Sequence, residues 1–457
     1  MTASEHTSPR WDGLREVMGM SGPIILGTMS YTMMQFVDML MVSRLGTDTL
    51  AAAGSAGVWS YTMGCLIYGT VGCVSTFVGQ SFGRGNFEHC ARYAWQGIYA
   101  SFLAAILALA LWPLSGALFG LMQHTPEVTR LELLFFRVRL TSYVSMAWVI
   151  ALSSFFQAVN RPRIPMYSAI LGNVVNIVFN FLLIYGLCGF PRWGIAGSAA
   201  ATSIALAVQT VVLQAVFMSK PFHEQFKTRT VWRIDPMRIR ELLRIGLPSG
   251  LTIFMDVANW GIFTSFVVGR FGSTQLAAHT AAMNFMHLCF MPVLGLSQGV
   301  TALVGQYVGA RDIRKAKART YTAMRIAIIY MFLMGLTFAI FGKQLVHMTF
   351  SKEVEVIALA HILLILSAVF QGFDSNNSVS IGGLRGAGDT RWMAVIFSIG
   401  AYGVFLPLSY TLGYVAGWGA VGAWIGATIY IIGLSGVLFR RFHGERWQHI
   451  RIFSEDR

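Results

Sequence analysis

Apolar residues run along this chain in long unbroken stretches, not in the 3.6-residue stripe of a soluble helix or the alternation of a half-buried strand. Twelve such stretches stand out, at approximately 17–43, 50–78, 95–120, 133–157, 164–188, 193–218, 242–269, 276–304, 321–342, 355–381, 391–414 and 418–439. Each holds at least about 18 residues, enough for a helix to cross a hydrocarbon core roughly 30 Å thick. Their Leu, Ile, Met, Phe and Ala mixtures lack the strict alternation of an outer-membrane barrel. The pattern therefore predicts an all-α polytopic membrane protein with twelve transmembrane helices. The first stretch follows a polar N-terminus and has no small-residue cleavage site, so it reads as a retained helix and not a signal peptide.

The pattern is written twice, with an offset of 225 or 226 residues. Val42-Ser43-Arg44-Leu45-Gly46, Leu50-Ala51-Ala52 and Val78-Gly79-Gln80 answer Val268-Gly269-Arg270-Phe271-Gly272, Leu276-Ala277-Ala278 and Val304-Gly305-Gln306. Gly22-Pro23 answers Leu247-Pro248, and Trp193-Gly194 answers Trp418-Gly419. Six helices is an even number, so both repeats cross the membrane in the same sense. Two six-helix lobes related by a pseudo-two-fold along the membrane normal are expected, a plan usual in secondary transporters. The expected division is an N-lobe over 1–218, a cytoplasmic linker over 219–241 and a C-lobe over 242–457.

Composition agrees: 55% of residues are hydrophobic, 12% are charged and the mean hydropathy is +0.59. Of the 34 Lys and Arg residues, 26 fall on the side that holds both termini and 8 on the other. The positive-inside rule makes the first side cytoplasmic, and a bacterial inner membrane is the expected location. The net charge of +14 needs no nucleic-acid partner, because juxtamembrane cations facing anionic lipid account for it. The five cysteines are scattered without a CxxC pair and read as small buried hydrophobes. The sequon Asn376-Asn377-Ser378 lies inside a predicted span, where it cannot be glycosylated. No P-loop or HExxH stretch is present, and no predicted strand leads into a GxSxG nucleophile turn, so an ATP-driven pump and a hydrolase lack support. No cofactor is called for.

Chemistry enters with the acids. Seventeen of the twenty Asp and Glu residues are expected in loops or at helix ends. The other three are Asp38, Asp256 and Asp374, in the first, seventh and tenth spans. A carboxylate in hydrocarbon costs a few kcal/mol even on the lenient insertion scale, so each needs a cation, a proton or a water-filled cavity. Packing by hydrogen bond to a neighbouring helix is the plainer alternative for each.

Around these residues the sequence resembles the multidrug and toxic-compound extrusion (MATE) transporters, most closely their NorM-type branch, over about 15 to 440. The stretches that carry it are Pro23 through Phe36-Val37-Asp38, Gly246-Leu247-Pro248 with Asp256, Phe370-Gln371-Gly372-Phe373-Asp374, and Gly383-Leu384-Arg385-Gly386-Ala387-Gly388-Asp389. The resemblance implies a two-lobe, V-shaped carrier that exchanges inward Na+ or H+ for outward amphipathic, usually cationic, compounds. It makes Asp256 and Asp374 the C-lobe cation site, with Na+ the possible metal, and Asp38 a third coupling acid. It also makes Asn176 and Asn180 a polar N-lobe site beside Asp38. Four apart, these two share a helical face, and packing amides are the alternative reading. Two departures stand out: Asp256 replaces the usual Glu, one methylene longer, and Phe370 replaces a frequent Tyr, removing an oxygen.

A substrate cavity is expected near Asp38, Met33, Met34, Asn284, Phe370 and Gln371, because adaptable Met beside aromatics suits a polyspecific site. Pro23, Pro248, Pro292 and Pro407 can kink their helices. The glycines of Gly79 to Gly85 and of Gly305 to Gly309 read as tight cytoplasmic turns. Small amphipathic cations and membrane lipids are the expected partners of a monomer. A lipid-linked or polysaccharide flippase of the same superfamily remains an alternative, although it would favour cationic cavity residues. A membrane-embedded enzyme is a further one.

Overall fold

The computed structural model describes residues 9–122, 124–350 and 352–456. The opening eight residues of the expected N-lobe, and Arg457 among the charges expected on the cytoplasmic side, lie outside them. No strand occurs among the described residues, as expected where backbone groups in hydrocarbon must bond within their own helix. Among the described residues, eleven helices are long and apolar enough to span alone, and a pair bent by 43°, Pro126–Leu140 and Tyr143–Ala158, makes a twelfth when counted as one span. The others are Asp12–Ser43, Thr47–Gly83, Phe87–Gly120, Arg163–Tyr185, Ile195–Phe217, Pro236–Phe271, Ser273–Gly309, Ile313–Thr349, Val354–Ala387, Thr390–Val415 and Gly419–His443. All twelve expected stretches are found.

Their ends differ for physical reasons. The second and eighth spans continue past 78 and 304, so Gly79 and Gly305 lie inside helices and not in turns. Val78, Gly79, Gln80 and Ser81 are buried there, and packing outweighs the weak helix propensity of glycine. The turns come later and repeat one another. Gly85 at φ +73° and Arg311 at φ +60° take the left-handed conformation. Asn86 N donates to Ser81 O at 3.0 Å, and Asp312 N donates to Tyr307 O at 2.8 Å. The Asn86 and Asp312 side chains then cap the third and ninth spans, accepting from His89 N at 3.3 Å and Lys315 N at 3.0 Å. The bend in the fourth span follows from Thr141 and Ser142, whose hydroxyls donate to Val138 O and Arg139 O at 2.7 Å each. Such bonds compete with the helical ladder. The 219–241 connection is largely helical: Lys220–Phe226 forms a short helix, and the seventh span already begins at Pro236.

Packing divides the chain into two compact units, residues 1–25 with 255–451 and residues 26–254 with 452–457. The division falls inside the first and seventh spans. In the first unit, Val17, Met20 and Ile24 join a core with Val293, Leu296 and Val300 of the eighth span. A Cβ on Gly295 would meet Ile25 Cα at 2.8 Å, and one on Gly299 would meet Ser21 Oγ at 2.1 Å. In the second unit, a Cβ on Gly250 would meet Leu66 O and Thr70 Oγ1 at 2.4 Å, and one on Gly246 would meet Thr70 O at 2.4 Å. Each repeat's first helix thus crosses the other repeat's second helix at backbone contact, which small residues alone permit.

The repeats differ in one respect. The seventh span widens into a π turn at Phe263–Val267, and the eleventh does so at Ala401–Phe405 and Thr411–Val415. Thr264 Oγ1 donates to Trp260 O at 2.9 Å, and Pro407 has no N–H and excludes the carbonyl four residues back. The first and fifth spans are α-helical throughout.

Gly250→Ala should cost about 1–3 kcal/mol by overpacking and lower the melting temperature in detergent. Gly57→Ala, in open space on the second span, should leave it unchanged or raise it. Equal melting temperatures for the two variants would show that the crossing tolerates a side chain.

Candidate functional site

The three acids that the sequence places inside spans fall in different units. Asp38 lies in the second, and Asp256 and Asp374 lie in the first.

Asp38 is buried, 8% exposed, with Asn176 and Asn180 of the fifth span and Thr202 of the sixth. Asn180 Nδ2 donates to Asp38 Oδ1 and to Asn176 Oδ1 at 3.0 Å. Asn176 Nδ2 donates to Thr202 Oγ1 at 3.3 Å. Thr202 Oγ1 has two acceptors within reach, Asp38 Oδ2 at 3.4 Å and Ser198 O at 3.2 Å. A hydroxyl carries one proton, so Thr202 serves one of them at a time. When it serves Ser198, Asp38 Oδ2 lacks that donor. Asn180 Oδ1 is buried without a partner. Arg139, half-buried where the fourth span bends, lies within electrostatic reach of Asp38. The expected grouping of Asp38 with Asn176 and Asn180 is present in the geometry.

In the first unit, Asp256 and Asp374 interact electrostatically with each other, and Tyr430 of the twelfth span interacts with both. Asp256 is exposed and Asp374 half-buried, so neither is sealed within the bundle. Asn377, one turn beyond Asp374, lies within electrostatic reach of it and donates to Ile431 O at 3.3 Å. The Asn377 Oδ1 atom, Asn259 Oδ1 and both amide atoms of Gln371 are buried without hydrogen-bond partners. Asn259 stands one helical turn after Asp256, and Gln371 one turn before Asp374, so each shares a face with its carboxylate. An unpaired buried polar atom costs about 1–3 kcal/mol, and a cluster of them beside two carboxylates suits water or a small cation. The donor set is hard oxygen throughout, carboxylate, amide and phenol, which matches an alkali or proton cargo and not a soft metal.

The remaining candidates are spread. Met34 is buried at 2% exposure, whereas Met33 is 63% exposed. Asn284 is exposed, with Nδ2 donating to Thr280 O at 2.8 Å. Phe370 is fully buried, its ring 6.1 Å from that of Trp424.

Sequence reasoning missed Thr202, Arg139, Asn259, Asn377 and Tyr430. Ser198 and Thr202, four apart in an Ala-rich span, were a signal. So was Asn377, three residues from Asp374. Nothing in the sequence marks Tyr430. Glu132, counted with the acids at helix ends, is fully buried in the fourth span, with His124 Nδ1 at 2.9 Å from its Oε1.

Known proteins align with most of this chain. A probable multidrug resistance protein NorM of Mesorhizobium japonicum is 30% identical over 438 residues, covering 94% of this chain and 93% of its own. A probable multidrug resistance protein NorM of Pseudomonas aeruginosa is 29% identical over 92% of this chain and 87% of its own. A solved structure, the outward-facing conformation of a multidrug resistance MATE family transporter, superposes with a TM-score of 0.87 at 21% identity. It covers 98% of this chain and 100% of its own, and it shows the same fold. The MatE family model matches residues 23–182 and 248–411, one segment in each repeat. The chain belongs to the MatE family of membrane transporters, carriers and not enzymes.

Proposed function

We propose that this protein is a secondary active antiporter that exports amphipathic, mostly cationic, drugs or toxic compounds in exchange for inward Na+ or H+. The names of the bacterial relatives support the cargo class. The observation that carries the coupling is the pairing of Asp256 and Asp374 beside buried amides that lack partners. Two adjacent carboxylates repel each other when both are ionised, so a cation or proton bound between them stabilises whichever arrangement brings them together. Release on the other side favours the alternative arrangement. Substrate and cation then need only exclude each other's conformation.

The repeats over 1–218 and 242–457 act as the lobes, joined by 219–241, in a monomer at the bacterial inner membrane with both termini in the cytoplasm. Each inward charge gains about 2.3 kcal/mol per 100 mV, enough to sustain a gradient of more than tenfold. Sodium is the preferred ion at the Asp256–Asp374 site. Phe370 brings no oxygen there, but the Tyr430 hydroxyl, Asn259 Oδ1 and Gln371 Oε1 offer replacements. Asp38 handles substrate, its acidic setting beside Met33 and Met34 favouring cations.

Three outcomes test this reading. Asp374→Asn keeps the shape and removes the charge, so dye efflux should fall to background in a protein that still inserts and folds. Full efflux by a well-expressed variant would exclude the role. In proteoliposomes at matched internal and external pH, an imposed sodium gradient should drive dye movement, and Asp256→Asn should abolish it. Transport driven only by a pH gradient, with sodium neither driving nor inhibiting, would make the carboxylates proton carriers. Asp38→Asn should weaken transport of cationic dyes more than that of neutral compounds, whereas equal losses would assign Asp38 to the ion or to the fold.

A further inference from the structure

The segment that follows the twelfth span is anchored at two places. Trp447 is fully buried in the first unit, its ring 5.1 Å from that of Phe442 and its Nε1 donating to Phe442 O at 2.6 Å. Ile452 and Phe453 are buried in the second unit at 1% and 4% exposure. There the Phe453 ring meets Phe77 edge-on at 5.8 Å and Tyr93 at 5.6 Å. The Arg84 guanidinium lies 4.4 Å over its face.

The next residue is held by a buried carboxylate. Ser454 N donates to Glu241 Oε1 at 2.5 Å, and the Ser454 hydroxyl donates to the same oxygen. Tyr93 OH donates to Glu241 Oε2 at 2.5 Å. Arg238 Nη2 donates to Glu455 Oε1 at 3.3 Å. The socket is thus built from the ends of the second, third and seventh spans, and it reads an aromatic ring, a backbone N–H and a hydroxyl. Glu241 is 6% exposed, and the tail supplies two of these three hydrogen bonds. A buried carboxylate deprived of donors is costly, so the tail completes the socket.

We propose that residues 452–455 are an intramolecular strap whose docking on Glu241 is broken and remade in each transport cycle; this rests on the alternating-conformation reading above. Phe453 is the sixth residue after Trp447, and an extended chain covers at most about 3.3–3.6 Å per residue. The two anchors therefore cannot part by more than roughly 20 Å unless one lets go. Phe453, with its neighbours at the chain's end, is the anchor that releases, since Trp447 is fixed through Phe442 to the twelfth span itself.

The test uses maleimide labelling of Ser454→Cys on a Cys188→Ser parent in inside-out vesicles, with Lys220→Cys as an exposed reference (83% side-chain exposure). At rest, Ser454→Cys should label roughly tenfold more slowly than the reference, because docking limits access. An imposed ion gradient with dye present should speed its labelling severalfold. Phe453→Ala should bring labelling to the reference rate in both conditions and alter dye turnover, with melting temperature in detergent reporting that the variant is folded. Unchanged labelling under the gradient, in a parent that transports dye, would overturn the strap alone. No gradient-driven dye movement in the parent would overturn the transport reading and the undocking with it. Labelling at the reference rate at rest would show that the segment is not docked.

Discussion

A carboxylate inside an apolar helix must be solvated by the protein, and the two repeats meet that demand in opposite ways. Around Asp38 the neighbours are donors: the Asn180 amide and the Thr202 hydroxyl both point N–H or O–H groups at it. Such a setting accommodates the ionised form. Around Asp256 and Asp374 the neighbours are mainly oxygens, from each other, from Tyr430 and from amide carbonyls without donors of their own. That setting lacks positive charge and is completed by a proton or a cation. Duplicated helices therefore carry two chemistries, one that holds charge and one that seeks it.

Holding either centre in place requires helices that do not slip. Gly246 and Gly250 on the second span, and Gly295 and Gly299 on the first, leave no room for a Cβ between the crossing helices. Such crossings resist rotation because backbone atoms and short side chains such as Ser21 and Thr70 meet there at close range. They also explain why packing divides the chain inside the first and seventh spans. Each of those helices is held by one set of neighbours near its start and by another near its acid.

The number of spans, their repeat and the isolated acids were legible because hydrocarbon imposes a length and a charge penalty that read directly from composition. Span ends were less so. Gly79 and Gly305 looked like turn residues, but burial of their neighbours keeps them helical. Asn176 and Asn180 were singled out by the family resemblance, their spacing placing them on one face, and Asn180 donates to Asp38. Tyr430 comes from a helix remote in sequence, and one hydroxyl among many carries no mark of its destination. Phe370, a cavity candidate from its family-like stretch, has its ring buried against Trp424.

The π turn at Phe263–Val267 has a geometric consequence for the acid two turns before it. A π turn is in effect one residue inserted into an α-helix, and such an insertion can migrate along the axis by exchanging one backbone hydrogen bond at a time. Every residue it passes is turned by about 100°, one residue's share of a 3.6-residue turn. Trp260, Asn259 and Asp256 lie in its path toward the helix start. The seventh span can thus re-aim a short stretch of side chains while both its ends stay still, a bearing built into a helix that the first span, α-helical throughout, does not possess.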